Sequence, residues 1–272
     1  MRRINILALV TYLTAVGCLV PQKPAPAVFG GQGASVSAGK EAPLPAESSQ
    51  PKPSGPCAAP APASDVALID DFEDGDSKPF KVFQREGWWY GASDATEGGK
   101  MTPPSGQFAP ARLTAPLASK TNAYAAHFTA EGYRQWGAVW GTSLNWAKDG
   151  IRCPFNASAF AGVKFRAKGP GLIKVQFGMP ETVPVEYGGS CKSNCYDSHG
   201  TPVLLGDKWD EHVVPWEVLQ QGGWGAEARF DPARLLNLNF AVLSKDLPSD
   251  FWLDDVKFLT QAEANERSTH PR

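Results

Sequence analysis

Carboxylates set inside apolar runs are the residues of this chain most able to do chemistry. Two stretches carry them, Asp65-Val-Ala-Leu-Ile-Asp-Asp-Phe-Glu-Asp-Gly-Asp76 and Phe251-Trp-Leu-Asp-Asp-Val-Lys-Phe258. A charge in such a run is costly unless it is paired or bound to a metal. Period-two alternation puts Trp252, Asp254, Val256 and Phe258 on one face, a core face with one carboxylate in it. In the first run Asp71 and Glu73 share a face before Gly75 breaks the strand. The simplest common arrangement lays the first and last strands side by side. Asp71, Glu73 and Asp254 would then share a hard cation, and calcium suits an all-oxygen set. Hydrogen-bonded or solvated acids at strand ends are the alternative. The first run is not an EF-hand loop, because Phe72 occupies a ligand position and Lys81 stands where the bidentate Glu belongs.

The second chemical resource is aromatic. The nine tryptophans all fall between residues 65 and 261. Aromatic rings flanked by polar groups stack on the apolar face of a pyranose. The candidates in polar, Gly-rich surroundings are Trp89, Tyr90 and Asp94, then Tyr133, Arg134 and Trp136, and finally Tyr187 and His199 flanking a cysteine pair. Taken singly, each is more often core or rim than a ligand platform. Trp252 alternates with core residues and is not a candidate, and His127 reads as a structural histidine. Glu86, Asp94, Glu131, Glu181, Glu186 and Asp197 form no recognisable catalytic pair, and there is neither a G-x-S-x-G elbow nor an H-E-x-x-H motif. No catalytic residue and no enzymatic activity is assigned.

These residues need a frame. The chain has 272 residues and a net charge of −2, which gives no electrostatic case for nucleic acid or anionic membrane. It opens with a targeting segment: Arg2 and Arg3, an apolar stretch from Ile4 to Val16, then Ala15-Val-Gly-Cys18. That tetrapeptide resembles the lipobox of bacterial lipoproteins, with Ala15 in place of the usual Leu. The resemblance implies a signal peptide over 1–17, lipidation of Cys18 and membrane attachment at the bacterial cell envelope, on the periplasmic or surface face of the outer membrane. A plain secretory signal is the alternative. Either way disulfides are permitted. Cys191-Lys-Ser-Asn-Cys195 can close a tight local disulfide, while Cys57 is free or reaches Cys153.

Residues 18–64 read as a disordered linker rich in Pro, Ala, Gly and Ser. Residues 65–261 form one all-β domain, and 262–272 a disordered tail. Strands are expected over 67–72, 124–129, 138–144, 162–167, 172–178, 212–215, 236–242 and 251–259. One or two short helices fit 215–221 and 231–235, the second with Asp231 as N-cap and Pro232 at the first helical position. Short strands between such loops suggest a two-sheet antiparallel β-sandwich.

The order of several weak motifs is more specific than any one of them. Asp70-Asp-Phe-Glu-Asp-Gly75, Trp140-Gly-Thr-Ser-Leu144, Gly162-Val-Lys-Phe-Arg-Ala-Lys168, Cys195-Tyr-Asp197, Gly222-Gly-Trp-Gly225, Phe230-Asp-Pro-Ala233 and Trp252-Leu-Asp-Asp-Val256 follow one another across the domain. Together they resemble the galactose-binding-like jelly rolls related to family 11 carbohydrate-binding modules. The resemblance implies a jelly roll with a glycan groove on a concave face and a structural calcium at Asp71, Glu73 and Asp254. The expectation is a monomeric, lipid-anchored, non-catalytic binder of an oligosaccharide or polysaccharide. An envelope interaction or scaffolding protein, and a glycoside hydrolase on the same fold, are the alternatives.

Overall fold

The computed structural model describes residues 57, 65–82, 85–114, 122–146, 150–242 and 247–269. The chain divides into Met1–Ser49 and Gln50–Arg272. The signal segment, Cys18 and all of the expected linker except Cys57 lie outside the described residues.

Twelve strands occur among the described residues: β1 (Leu68–Asp70), β2 (Trp89–Ser93), β3 (Lys100–Thr102), β4 (Ala111–Arg112), β5 (Tyr124–Glu131), β6 (Ala138–Ser143), β7 (Phe160–Lys168), β8 (Gly171–Gly178), β9 (His199–Leu205), β10 (Asp210–Pro215), β11 (Asn237–Val242) and β12 (Ser249–Thr260). They build two antiparallel sheets. The seven-stranded sheet runs β10-β7-β12-β5-β3, with β1 added on β12 and β4 on β5, and the five-stranded sheet runs β2-β6-β11-β8-β9. From β5 to β8 and from β9 to β12 each strand crosses to the other sheet, as in a jelly roll. The all-β sandwich expected from the sequence is the fold.

Alternation places the core. Val163, Phe165 and Ala167 of β7 are buried while Lys164, Arg166 and Lys168 point outward. Ile173, Val175 and Phe177 of β8, and Leu238, Phe240 and Val242 of β11, face them from the other sheet. Aromatic rings fill the space between, with Phe128–Trp140 at 4.8 Å, Phe165–Phe240 at 5.3 Å and Phe160–Phe258 at 4.7 Å between centroids.

The first and last strands do lie side by side: Leu68 faces Lys257 and Asp70 faces Val256. The face shared by Trp252, Asp254, Val256 and Phe258 does not exist, however. The register shifts between Asp254 and Lys257, and Asp255 takes a left-handed φ of 50°. An extra residue in a strand sends everything beyond it to the opposite face. Val256 and Phe258 therefore enter the core, while Trp252 stacks outside on His127 at 4.1 Å.

The tail needs a second correction. Residues expected to be without structure from 262 form an α-helix, α1 (Gln261–Thr269). Thr260 and Glu263 make a capping box: the Thr260 N–H donates to Glu263 Oε2 at 3.0 Å and the Glu263 N–H to Thr260 Oγ1 at 3.3 Å. Lys164–Glu263 and Arg267–Glu211 ion pairs hold the helix to β7 and β10. No described helix is long and apolar enough to cross a membrane. The expected short helices are 3-10 turns at Trp216–Val218 and Pro232–Arg234, and Asp231 caps the second by accepting the Ala233 N–H at 2.9 Å. Disulfides join Cys57 to Cys153 and Cys191 to Cys195.

Candidate functional site

The terminal-strand acids come first. Glu73 accepts the Ala123 N–H on both oxygens, at 3.0 and 2.8 Å, and the Tyr124 N–H at 3.1 Å. Asp71 Oδ1 accepts the Glu73 N–H at 3.3 Å. Both carboxylates are thus engaged by backbone, and among the described residues no group of three or more His, Cys, Asp or Glu side chains is placed to hold a metal. One pair of atoms does suit a hard cation. Asp254 is buried, and burial together with the neighbouring Asp255 carboxylate pushes its carboxyl up to about 6. Asn122 donates through Nδ2 to Asp254 Oδ2 at 3.3 Å, and its buried Oδ1 has no partner. Asp254 and Asn122 offer oxygens to a hard cation; Glu73 holds the start of β5, and Asp71 holds the turn at Glu73.

The eight ligand-contact candidates separate. Trp89 is core: it is 1% exposed, lies 5.3 Å from both Phe72 and Phe108, and donates Nε1–H to Asp70 at 2.6 Å. Tyr133 is buried against Gly99, where an added Cβ would come within 2.4 Å of its ring. Asp94 fastens two loops by accepting the N–H groups of Thr96, Gln135 and Gly137 at 2.9, 3.0 and 2.8 Å. Burial raises its pKa, but these bonds outweigh that and hold it down to about 2. His199 is buried beside Phe230, and burial lowers its pKa. Arg134 and Trp136 are exposed on the β5–β6 turn, ahead of the start of β6 at Ala138. Tyr90 and Tyr187 come together.

They meet on the outer face of the five-stranded sheet. Because Trp89, Trp140, Phe240 and Val175 point inward, their neighbours point out. In register across the sheet these are Tyr90, Gly141, Asn239, Gln176 and Gly200. The glycines make room: a Cβ at Gly141 would sit 2.1 Å from Asn239 Oδ1, and one at Gly178 would sit 2.1 Å from Asn237 Oδ1. Tyr90 donates its hydroxyl to Asn239 Oδ1 at 2.6 Å and accepts from Asn237 Nδ2 at 2.7 Å. Asn237 Oδ1 is left buried and unpartnered. Above this floor the Arg152 guanidinium lies 4.7 Å from the Tyr90 ring and 5.4 Å from the Tyr187 ring, a cation between two aromatic faces. Burial pushes the Tyr90 phenol up, so it stays neutral. Tyr187 and Tyr196 are 43% and 54% exposed, and Tyr196 is shifted upward by burial and then by Tyr187 and Glu186.

This face offers exposed phenol rings, a guanidinium and side-chain amides on a rigid sheet. An open pocket of about 530 Å³ lies elsewhere, between Leu204, Trp209 and His212. Its one indole already carries Arg166 and Lys168 at 5.5 and 5.4 Å. Sequence reasoning missed Arg152, Tyr196, Asn237 and Asn239. Asn237-Leu-Asn239 had a readable signal, polar residues at i and i+2 in a strand otherwise apolar. Arg152 had none, since it reaches the face from the β6–β7 connection.

Comparison of the sequence with protein-family models and with curated proteins gave no match. Solved structures give distant likenesses. The family 11 carbohydrate-binding module of a cellulosomal cellulase from Clostridium thermocellum has 16% identity and a TM-score of 0.44, covering 74% of this chain and 96% of its own. The C. thermocellum family 11 module in complex with a β-1,3-1,4-mixed-linked tetrasaccharide has 16% identity and a TM-score of 0.44, covering 72% and 98%. A family 30 carbohydrate-binding module from a C. thermocellum cellulosomal cellulase has 16% identity and a TM-score of 0.42, covering 68% and 97%. No functional residue is carried over from them.

Proposed function

We propose that the chain is an exported, lipid-anchored, non-catalytic carbohydrate-binding protein whose glycan lies on the outer face of the five-stranded sheet. One observation carries this reading: the Tyr90–Arg152–Tyr187 stack on a glycine-lined floor beside the unpartnered Asn237 Oδ1. Pyranose rings present C–H groups to aromatic faces and hydroxyls to guanidinium and amide groups, and a pre-organised face adds little ordering cost. Tyr187 and Tyr196 supply stacking surface and Arg152 supplies donors. Asp197, next to Tyr196, spends its oxygens on four backbone N–H groups and so acts as an anchor rather than as a catalytic acid. A structural calcium at Asp254 and Asn122 belongs to the same proposal.

Screening the full chain against a panel of oligosaccharides and polysaccharides tests the reading. Retention by at least one glycan without turnover supports it. Binding to envelope proteins alone would replace it with a scaffolding role, and cleavage of the glycan would replace it with a hydrolase. The anchor rests on Ala15-Val-Gly-Cys18. Cys18→Ser should remove acyl label and move the protein from membranes to the soluble exported fraction; wild-type protein with no acyl label would contradict the anchor.

A further inference from the structure

Beside Tyr196 the chain builds a loop that the stack on the sheet face does not use. Asp197 is 1% exposed, and its carboxylate accepts the N–H groups of Gly222, Gly223, Trp224 and Gly225 at 2.7, 2.8, 3.1 and 3.1 Å. Burial pushes this carboxyl up, but the four bonds outweigh it and hold it below the usual carboxylate range. Gln221 closes the loop on itself: its Nε2 donates to the carbonyls of Asp197 and Ala226 at 2.7 and 2.8 Å, and its Oε1 accepts the Ala228 N–H at 2.8 Å. The Ala226 N–H reaches the Asn194 carbonyl at 2.9 Å. Loop 221–228 is thereby fixed to the Cys191–Cys195 loop that carries Tyr196.

What this framework holds out is an indole. Trp224 is 61% exposed, more than Trp136 at 53% or Tyr196 at 54%. No described aromatic ring or cation stacks on it. Its ring lies back across Gly222, where a Cβ would come within 2.8 Å of Cδ1 and 2.9 Å of Nε1. Gly222 thus lets the indole lie flat against the loop with a face toward solvent. A tryptophan left in water forgoes the burial that normally stabilises it, yet four hydrogen bonds to one charged acid and three from one glutamine keep this loop in a single shape. Such pre-organisation lowers the ordering cost of binding.

We infer that Trp224 is a stacking platform for a pyranose ring, an outer subsite that carries the glycan past Tyr196 and off the sheet face. The inference rests on the carbohydrate-binding reading above. Asp197 and Gln221 are positioning residues for that platform. The consequence is a preference for chains long enough to reach from Tyr187 to Trp224 over single sugars.

The test uses the full chain in four forms: wild type, Trp224→Ala, Trp224→Phe and Tyr187→Ala. Each is run by affinity electrophoresis against soluble mixed-linked β-glucan, xylan, galactomannan and pectin. Each is then titrated with a length series, two to six sugars, of whichever of these is retained. Trp224→Ala should keep wild-type melting and wild-type affinity for the shortest oligosaccharides, and should lose about tenfold for the longest, in line with stacking on an aromatic side chain. Trp224→Phe should recover most of that loss, and Tyr187→Ala should weaken every length. If Trp224→Ala matches wild type at every length while Tyr187→Ala fails, the outer subsite is wrong and the sheet-face site stands. If wild type is retained by none of the glycans, both fall.

Discussion

Arg85 has no exposed surface, and its guanidinium donates to the carbonyls of Val66 at 2.9 Å, Phe80 at 3.3 Å and Leu68. It also faces the rings of Phe155 and Phe258 at 5.6 and 6.0 Å. Burial lowers its pKa to about 10, so it remains charged at neutral pH. Arg85→Met would leave those carbonyls without their donor. A buried acceptor left unsatisfied costs about 1–3 kcal/mol. Urea denaturation should show a loss of that order, and an unchanged midpoint would mean that water replaces the guanidinium. Asp94 and Asp197 teach the same lesson from the acidic side. Each sits in a Gly-rich loop that could belong to a ligand, and each instead collects backbone N–H groups. Residue type and loop context look alike in both cases, so the sequence alone could not separate an anchor from a ligand contact. What no backbone group has claimed and what still reaches solvent is Tyr187, Tyr196 and the Arg152 guanidinium.

At the scale of elements, the bulge in β12 governs both the core and Asp254. Desolvation, then Asp255, holds the Asp254 pKa near 6, above the unfolded value of about 3.9. Between those values the unfolded state binds fewer protons than the folded state, so stability falls as pH rises through the window, by on the order of 3 kcal/mol. Asp70 acts in the same direction up to about 7, through burial. A cation on ionised Asp254 would cancel its share. Melting in chelator should therefore drop from about pH 4 to about pH 7, calcium should reverse the part due to Asp254, and Asp254→Asn should remove that part and the calcium effect while leaving the part due to Asp70. The same pH slope with and without calcium, and no metal by elemental analysis, would contradict the site. The bulge was missed because Trp252 lets the face of Val256 and Phe258 be extended back through Asp254; its signal was the change of phase from Phe251 and Leu253 to Val256 and Phe258 across the two acids. The long strands were legible from Val, Ile and Phe at alternate positions, as in β7 and β8. Strand β9 was not, since Gly200 and Pro202 have the composition of a loop, and neither was β2, which carries Gly91 between Gly-rich flanks. Helix α1 carried its start signal in Thr260-Gln-Ala-Glu263, but its polar composition resembled a tail.

For the whole molecule, the Cys57–Cys153 disulfide moves the start of the folded unit. A boundary at residue 65 would omit a cysteine that ties the chain to the β6–β7 connection across a separation of 96 residues, and closing a loop of that length is worth about 4–5 kcal/mol in the chain-entropy view. The Cys191–Cys195 bridge, at a separation of 4, acts locally by shaping the rim that carries Tyr196. One end of the five-stranded sheet thus concentrates both kinds of investment: a disulfide loop, the Asp197 anchor, and the exposed rings of Tyr187, Tyr196 and Trp224. The other end presents Trp136 on the β5–β6 turn. Calorimetric titration with the best-retained glycan distinguishes the two ends directly. Tyr187→Ala should weaken binding at least about tenfold, roughly 1.4 kcal/mol, with melting unchanged, and Trp136→Ala should bind as wild type does. Loss of binding in Trp136→Ala with Tyr187→Ala unaffected would contradict the sheet-face site and move binding to the β5–β6 turn.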